Sequence, residues 1–176
     1  MTENITQNEF SIEVDLTSLS PSGKVFRMTL SQEDCTRVAK RLRLVSLKSC
    51  AGEIKLTHKK STICAVGSVQ AELTRECVSS LEEMDETINE SFEIEFLRDD
   101  SARDADEDIE EWGLPEIHKG NVFDVGELLI QQLSLSMAPF PRKDGAKSLA
   151  DVYGVEPEAS PFAVLQQNFE KDENNH

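Results

Sequence analysis

Four cysteines carry the most reactive side chains of this chain, and their spacing limits what they could do. They are Cys35, Cys50, Cys64 and Cys77, at intervals of 15, 14 and 13 residues. A zinc knuckle needs two thiolates presented by one turn, as in a CxxC pair, and no two of these cysteines are that close. Nothing in the sequence indicates export, so we expect buried, free thiols. Cys77 stands beside Glu76, outside the electropositive setting that lowers a thiol pKa, and is predicted to be inert.

Other groups capable of catalysis are few or dispersed. Apart from the last residue, the histidines are His58 and His118, and neither stands in a nucleophile or metal-binding motif. The sequence contains no glycine-rich phosphate loop and no HExxH. We therefore predict a protein that is not an enzyme and that needs no cofactor or metal. The alternative is a metal-dependent enzyme, in which acids such as Glu93, Glu95 and Asp124 would converge on a metal ion.

Charge is divided sharply along the chain, whose formal net charge is −16. Residues 24–60 contain ten Lys or Arg against three acids, whereas residues 82–111 contain fifteen acids against two Arg. Basic side chains could neutralise RNA phosphates by releasing counterions, or could serve solubility alone. Between Arg37 and Lys60 no Phe, Tyr or Trp is interleaved with them for base stacking. The candidate RNA-binding residues are Arg37, Lys40, Arg41, Arg43, Lys48, Lys55, Lys59 and Lys60.

An acidic run leads to two large apolar residues, Trp112 and Leu114. The charge could steer a basic partner protein, with Trp112 and Leu114 as anchors. Two other interpretations remain open: a solubilising loop, or an acidic mimic of nucleic acid that occupies a basic groove of another protein. Because like charges are concentrated and apolar residues are sparse, we predict a flexible acidic loop over residues 98–120.

Alternating apolar residues predict the strands that must position these side chains. Residues 10–16 and 24–30 alternate around a Ser-Pro-Ser-Gly turn, which predicts a hairpin or meander. Residues 44–73 predict two more antiparallel strands, with turns near Gly52 and at residues 59–61.

A further strand is predicted at residues 86–97, and the short connections favour antiparallel pairing. One face of the run from residue 61 to 73 includes small side chains, which indicates close packing by a helix. Its members are Ile63, Ala65, Gly67, Val69, Ala71 and Leu73.

Two helices have clear start signals. Ser31 followed by Asp34 resembles a capping box with Asp in place of the usual Glu, and the helix that it begins would turn Cys35, Val38, Ala39 and Leu42 inward. Asp124 is a natural N-cap for the second helix, whose predicted apolar stripe is Val125, Leu128, Leu129, Leu133 and Leu135. Gly126 costs up to about 1 kcal/mol in a helix relative to Ala, which indicates a close packing contact there. Pro139 ends the helix, and Pro139–Arg142 is either a rigid exit or a recognition patch presenting Phe140 and Arg142.

The order of several segments resembles a known family. These segments are RECVSSLE (residues 75–82), TINESFEIEF (87–96), DVGELLIQQLSLSMAPFPR (124–142) and SPFAVL (160–165). Together they look like the YceD family of bacterial and plastid proteins, especially its alphaproteobacterial branch, across residues 10–166. The resemblance implies a role in the accumulation or maturation of the large-subunit (23S) ribosomal RNA, and it brings no catalytic residues. In that pathway the metal-dependent alternative would be an RNA-processing enzyme. Some members carry CxxC motifs where this chain has Cys77–Ser80 and cysteines where it has Pro139–Arg142, so no zinc site is implied here.

These observations lead to one expected architecture. We predict an α+β fold in which a curved antiparallel sheet of five or six strands, which could approach a small barrel, is packed by two main helices. One domain would span residues 10–166, between disordered termini at residues 1–9 and 167–176. The expected protein is a cytoplasmic, non-enzymatic ribosome-biogenesis factor that binds precursor large-subunit RNA or a basic ribosomal protein, with no membrane or small-molecule partner. Candidate partner-binding residues are Trp112, Leu114, Asp124, Gly126, Glu127, Phe140 and Arg142.

Overall fold

A computed structural model of the chain describes residues 9–59, 62–98 and 116–147. The helices are α1 (Gln32–Arg41) and α2 (Val125–Ser136), and a short 3₁₀ helix spans Leu16–Ser18. The strands are β1 (Glu13–Asp15), β2 (Lys24–Thr29), β3 (Ser46–Lys59), β4 (Thr62–Glu76), β5 (Glu83–Arg98), β6 (Glu116–His118) and β7 (Val122–Asp124). The main sheet has the order β2-β3-β4-β5-β6, and β1 and β7 form a separate two-stranded sheet. The predicted α+β class is confirmed.

The main sheet is open. Its described edges are β2 and β6, which do not pair with each other, so the sheet does not close into the small barrel that the sequence allowed. Strands β2 to β5 pair antiparallel as predicted, whereas β6 runs parallel to β5. Strand β6 also falls inside the segment predicted to be an acidic loop. Residues 99–115 of that loop lie outside the described residues, as do residues 1–8, 60–61 and 148–176.

Strand β1 does not form the predicted hairpin with β2. It pairs antiparallel with β7, with Val14 opposite Phe123. The chain turns away after three strand residues because Asp15 caps the 3₁₀ helix, its carboxylate accepting a 2.9 Å hydrogen bond from the backbone N–H of Thr17. The first strand is therefore shorter than the alternating pattern suggested, although Leu16 beyond it remains buried.

Gly52 lies in the middle of β3, opposite Met28 and Val69, so the turn predicted near it is wrong. A Cβ atom built on Gly52 would lie 2.6 Å from the carbonyl oxygen of Ser68 and would also strike the side chain of Leu129 in α2. The glycine thus lets α2 approach the sheet closely. The prediction that a helix packs on the small-residue face of β4 is confirmed, since α2 contacts β4 and this face is buried at Ile63, Ala65, Val69, Ala71 and Leu73.

Both helices begin where their caps predicted. In α1, Ser31 Oγ accepts from Asp34 N at 3.2 Å and Asp34 Oδ2 accepts from Ser31 N at 3.2 Å. Helix α1 buries Cys35, Val38 and Ala39 against the sheet.

The predicted apolar stripe of α2 is correct except at its end. Leu135 is 76% exposed, because it lies about 200° around the helix from the fully buried Leu133. Ile130, which the stripe omitted, is buried instead. The α2 residues that face the core are Val125, Leu128, Leu129, Ile130 and Leu133.

Candidate functional site

Two loops that are far apart in sequence are joined into one surface, which we call the loop pair. It consists of residues 77–82, after β4, and residues 137–143, after α2. The backbone N–H of Val78 donates to the carbonyl oxygen of Pro141 at 2.9 Å. The ammonium of Lys143 lies 3.0 Å from the Glu82 carboxylate. These contacts hold the exit of α2 against the end of the sheet.

A half-buried ion pair lies beneath the loop pair. Arg75 Nη2 lies 2.6 Å from Glu86 Oε2, and the two side chains are only 12% and 18% exposed. The contact is electrostatic, because its angles fall outside hydrogen-bond geometry. Arg75 Nη1 donates to the carbonyl oxygen of Ala138 at 2.8 Å, and Ala138 N donates to Glu86 Oε1 at 3.5 Å. The ion pair therefore ties β4 and β5 to the first residues after α2.

Cys77 lies at the centre of the loop pair and is a buried, free thiol, as predicted, but its pKa is not the ordinary value expected beside Glu76. The thiol is buried, and its sulfur accepts from Lys143 N at 3.3 Å and from Ser80 N at 3.4 Å. The Lys143 N–H, then the Ser80 hydroxyl and backbone N–H, stabilise the thiolate and lower the pKa of Cys77 to about 6. The sequence neighbour Glu76 was a poor guide, because the deciding donor lies 66 positions away.

The other three cysteines are free, as predicted, and Cys35 and Cys50 are buried while Cys64 is half-buried. Burial is the main cause that raises the pKa of each of them, and it raises that of Cys50 to about 12.

The loop pair exposes apolar side chains of the kind that bind a partner. Phe140 is 74% exposed, Leu81 56% and Val78 46%, and Arg142 is exposed beside Phe140. Leu81 has a left-handed backbone, with φ of 60°, which an aliphatic residue adopts only when its surroundings hold it there. Phe140 and Arg142 were predicted from sequence. Val78 and Leu81 were missed, because only the fold brings their loop beside Pro141.

Asp124, Gly126 and Glu127, which the sequence offered as partner-binding residues, instead make contacts within the fold. Asp124 Oδ1 accepts from Glu127 N at 2.9 Å and from Ile12 N at 3.0 Å, and its Oδ2 accepts from the Ser11 hydroxyl at 2.7 Å. A Cβ atom on Gly126 would lie 2.8 Å from Ile12 N, so the close packing contact predicted for this glycine is confirmed. These residues fasten the N-terminal segment to α2.

The basic residues proposed for RNA do not form one patch. Arg41 is held by Glu127 at 2.5 Å and by Glu9 at 3.1 Å, and its pKa is raised chiefly by hydrogen bonding to Glu127. Arg37 pairs with Asp34, and Lys48 lies 2.8 Å from Asp85.

Four predicted RNA-binding residues, Lys40, Arg43, Lys55 and Lys59, are exposed and have no ion-pair partner among the described residues. Arg43 precedes β3 and Lys59 ends it, which separates them by on the order of 40 Å. Lys60, Trp112 and Leu114 lie outside the described residues, so their proposed roles remain predictions.

The acids named for a metal-dependent enzyme are likewise apart. Glu93 and Glu95 are exposed on the sheet face of β5 opposite to the helices, whereas Asp124 is occupied as the cap of α2. Within residues 9–59, 62–98 and 116–147, no group of three or more His, Cys, Asp or Glu side chains could hold a metal ion. Neither helix in the described part of the chain has the length and apolar character needed to cross a membrane.

The fold and this surface define a class of protein: a small α+β protein with an open sheet, whose sheet and second helix together hold an exposed apolar loop pair. The family model described as "Large ribosomal RNA subunit accumulation protein YceD" matches residues 65–173, more than half of the chain. The chain belongs to the YceD family. No curated protein and no solved structure matches it significantly. The matched region contains β5, α2 and the loop pair, whereas α1 and β3 precede it.

Proposed function

We propose that this protein is a non-catalytic factor in the accumulation of large-subunit ribosomal RNA, and that the loop pair is its contact with the assembling subunit. Family membership supports the role in large-subunit RNA accumulation. The observation that carries the choice of surface is that Val78, Leu81 and Phe140, which are exposed and apolar, all lie within the matched region. Exposed aromatic and arginine side chains on a rigid backbone bind partners at little cost in entropy.

The contact that we propose is with precursor large-subunit RNA or an early ribosomal protein, in the cytoplasm. On RNA, Phe140 could stack on an unpaired base while Arg142 reaches a phosphate. On a protein, Phe140 could fill an apolar pocket while Arg142 contacts the rim of that pocket. The basic surfaces at Lys40 and Arg43 and at Lys55 and Lys59 would then be secondary contacts, since they lie outside the matched region.

The test combines genetics with crosslinking. Cells that lack the protein are complemented with the wild-type chain, with a Phe140→Ser and Arg142→Ser double variant, or with Leu135→Ser as a control of similar exposure outside the loop pair. We expect low 23S RNA in cells without the protein, restoration by the wild type and the control, and no restoration by the double variant. Crosslinking and purification from the same cells should recover precursor RNA or a ribosomal protein with the wild type and the control only.

Two results would contradict the proposal in different ways. Normal 23S RNA in cells that lack the protein would refute the biological role. Full restoration and unchanged crosslinking by the double variant would refute the loop pair as the contact while leaving the role intact. Circular dichroism of the purified variants shows whether each remains folded.

A further inference from the structure

Strand β5 has a long edge that no described strand covers. It pairs with β4 from Glu83 to Leu97, but on its other side β6 meets only residues 96–98. The edge from Glu83 to Glu95 is therefore unpaired within the described part of the chain. Asn89, Glu90 and Ser91, which alternate between the two faces of this strand, are all exposed, as is typical of an accessible edge. An open strand edge presents backbone N–H and C=O groups that can pair with another extended chain.

Carboxylates line this edge on both faces of the strand. Asp85 and Glu86 are neutralised by Lys48 and Arg75. The remaining acids have no basic partner among the described residues and are exposed: Glu83, Glu90, Glu93 and Glu95. Glu93 and Glu95 point away from the helices, whereas Glu90, opposite the buried Val69, lies on the helix-covered face.

The negative charge of these carboxylates determines which kind of extended chain could pair with the edge. A second copy of β5 would bring the same carboxylates against themselves, which is unfavourable for directly opposed strand residues. The two long segments of this chain outside the described residues are also acidic: residues 99–115 have eight acids and one Arg, and residues 148–176 have six acids and one Lys. An extended segment rich in Lys or Arg is the occupant whose charge complements the edge.

We propose that the edge of β5 from Glu83 to Glu95 binds an extended, Lys/Arg-rich segment of a partner protein as an added strand. This inference rests on the proposed function and specifies one partner of the same factor. The added strand would lie about 4.8 Å from β5. Its basic residues would alternate, so that two on one face meet Glu93 and Glu95 and another on the opposite face meets Glu90.

The test measures binding of synthetic peptides to the full-length protein by fluorescence anisotropy. The probe is a peptide as long as the edge with Lys or Arg at the matching positions, compared with the same peptide N-methylated along one backbone edge and with an acidic counterpart. We expect the Glu93→Gln and Glu95→Gln double variant to bind the basic peptide about tenfold more weakly, the loss of two exposed ion pairs. A matched control, Glu72→Gln and Glu76→Gln on neighbouring β4, should change affinity by less than about twofold.

Hydrogen exchange then locates the contact. Protection of β5 amides between residues 83 and 95 on binding of the basic peptide, and loss of affinity on N-methylation, support strand addition. Equal binding of the N-methylated peptide, or equal weakening by both double variants, would show a diffuse charge attraction and overturn the proposal. Protection of this edge by an RNA fragment but not by the basic peptide would also overturn it. None of these outcomes depends on the 23S RNA measurement. The proposal for the β5 edge can therefore be refuted while the proposed function stands.

Discussion

Replacing Asp124 by Ala should destabilise the protein far more than the loss of one helix cap. Its Oδ1 accepts two backbone N–H groups, from Glu127 within α2 and from Ile12 in the N-terminal segment. Loss of an N-cap costs about 1 kcal/mol. The second N–H, in a half-buried position, is left without its partner at a similar cost of about 1 kcal/mol. The lost hydrogen bond from Ser11, which is exposed, adds a few tenths, so we expect a total of about 2 to 3 kcal/mol.

Asp124→Asn is the matched control. The amide keeps an oxygen in place of Oδ1 and can turn its NH₂ toward the Ser11 hydroxyl, so both backbone donors remain satisfied. What it loses is the negative charge at the helix N-terminus, about 0.5 kcal/mol. The free energy of unfolding from urea titrations of wild type, Ala and Asn variants gives both numbers. Hydrogen exchange at Ile12 should accelerate in the Ala variant alone.

The reasoning would be refuted if Asp124→Ala lost less than about 1 kcal/mol, the cost of a cap alone. It would also be refuted if the Asn variant lost as much as the Ala variant, since charge would then matter more than the two shared N–H groups.

Three further perturbations test other parts of the structure. Gly126→Ala should destabilise by about 1 to 3 kcal/mol in urea titrations, although Ala favours helices, because its Cβ would lie 2.8 Å from Ile12 N; a stabilised variant would contradict this. Leu133→Ala should cost about 2 to 5 kcal/mol and Leu135→Ala less than about 0.5 kcal/mol, since only Leu133 is buried; equal losses would contradict that assignment. The thiolate absorbance of wild type minus Cys77→Ser should titrate with a midpoint of about 6. Because the folded pKa lies below the unfolded value, the thiolate's contribution to stability is present above about pH 9 and is lost as pH falls through about 6, and a difference titration with a midpoint near 9 would refute it.

The helices could be predicted because their signals are local. The capping box of Ser31 and Asp34 spans four residues, and Asp124 caps a helix that begins at the next residue. Gly126 also allowed a contact to be predicted from sequence. Glycine destabilises a helix relative to Ala, so its presence there indicates that a neighbour lies too close for a side chain. What the pattern could not give is the identity of that neighbour, the backbone of Phe10 to Ile12, more than a hundred residues earlier.

The errors arose where pairing is long-range. Alternation identified β1 but not its partner, since the pattern of one strand is compatible with any strand of matching register, and β7 has only three residues. The loop pair is a similar case. Cys77 acquires its lowered pKa, and Val78 its neighbour Pro141, from a segment more than sixty positions away. Local sequence predicted the half of this surface after α2, but neither the half after β4 nor the contact between them.

A run of like charges in sequence does not always become one charged surface. The basic segment is dispersed in the fold, whereas the acids of β5 stay together. The basic residues of segment 24–60 lie partly in α1 and partly along β3 as far as its end at Lys59, so a run of one sign in sequence becomes several separate sites. In β5 the acids also alternate between faces, yet they remain together because the strand is at an open edge, where side chains of both faces reach the same solvent. The Glu83 to Glu95 edge therefore combines unpaired backbone groups with exposed acids that have no basic partner among the described residues. This combination is why we assign the partner's basic segment to the edge and not to the faces of the sheet.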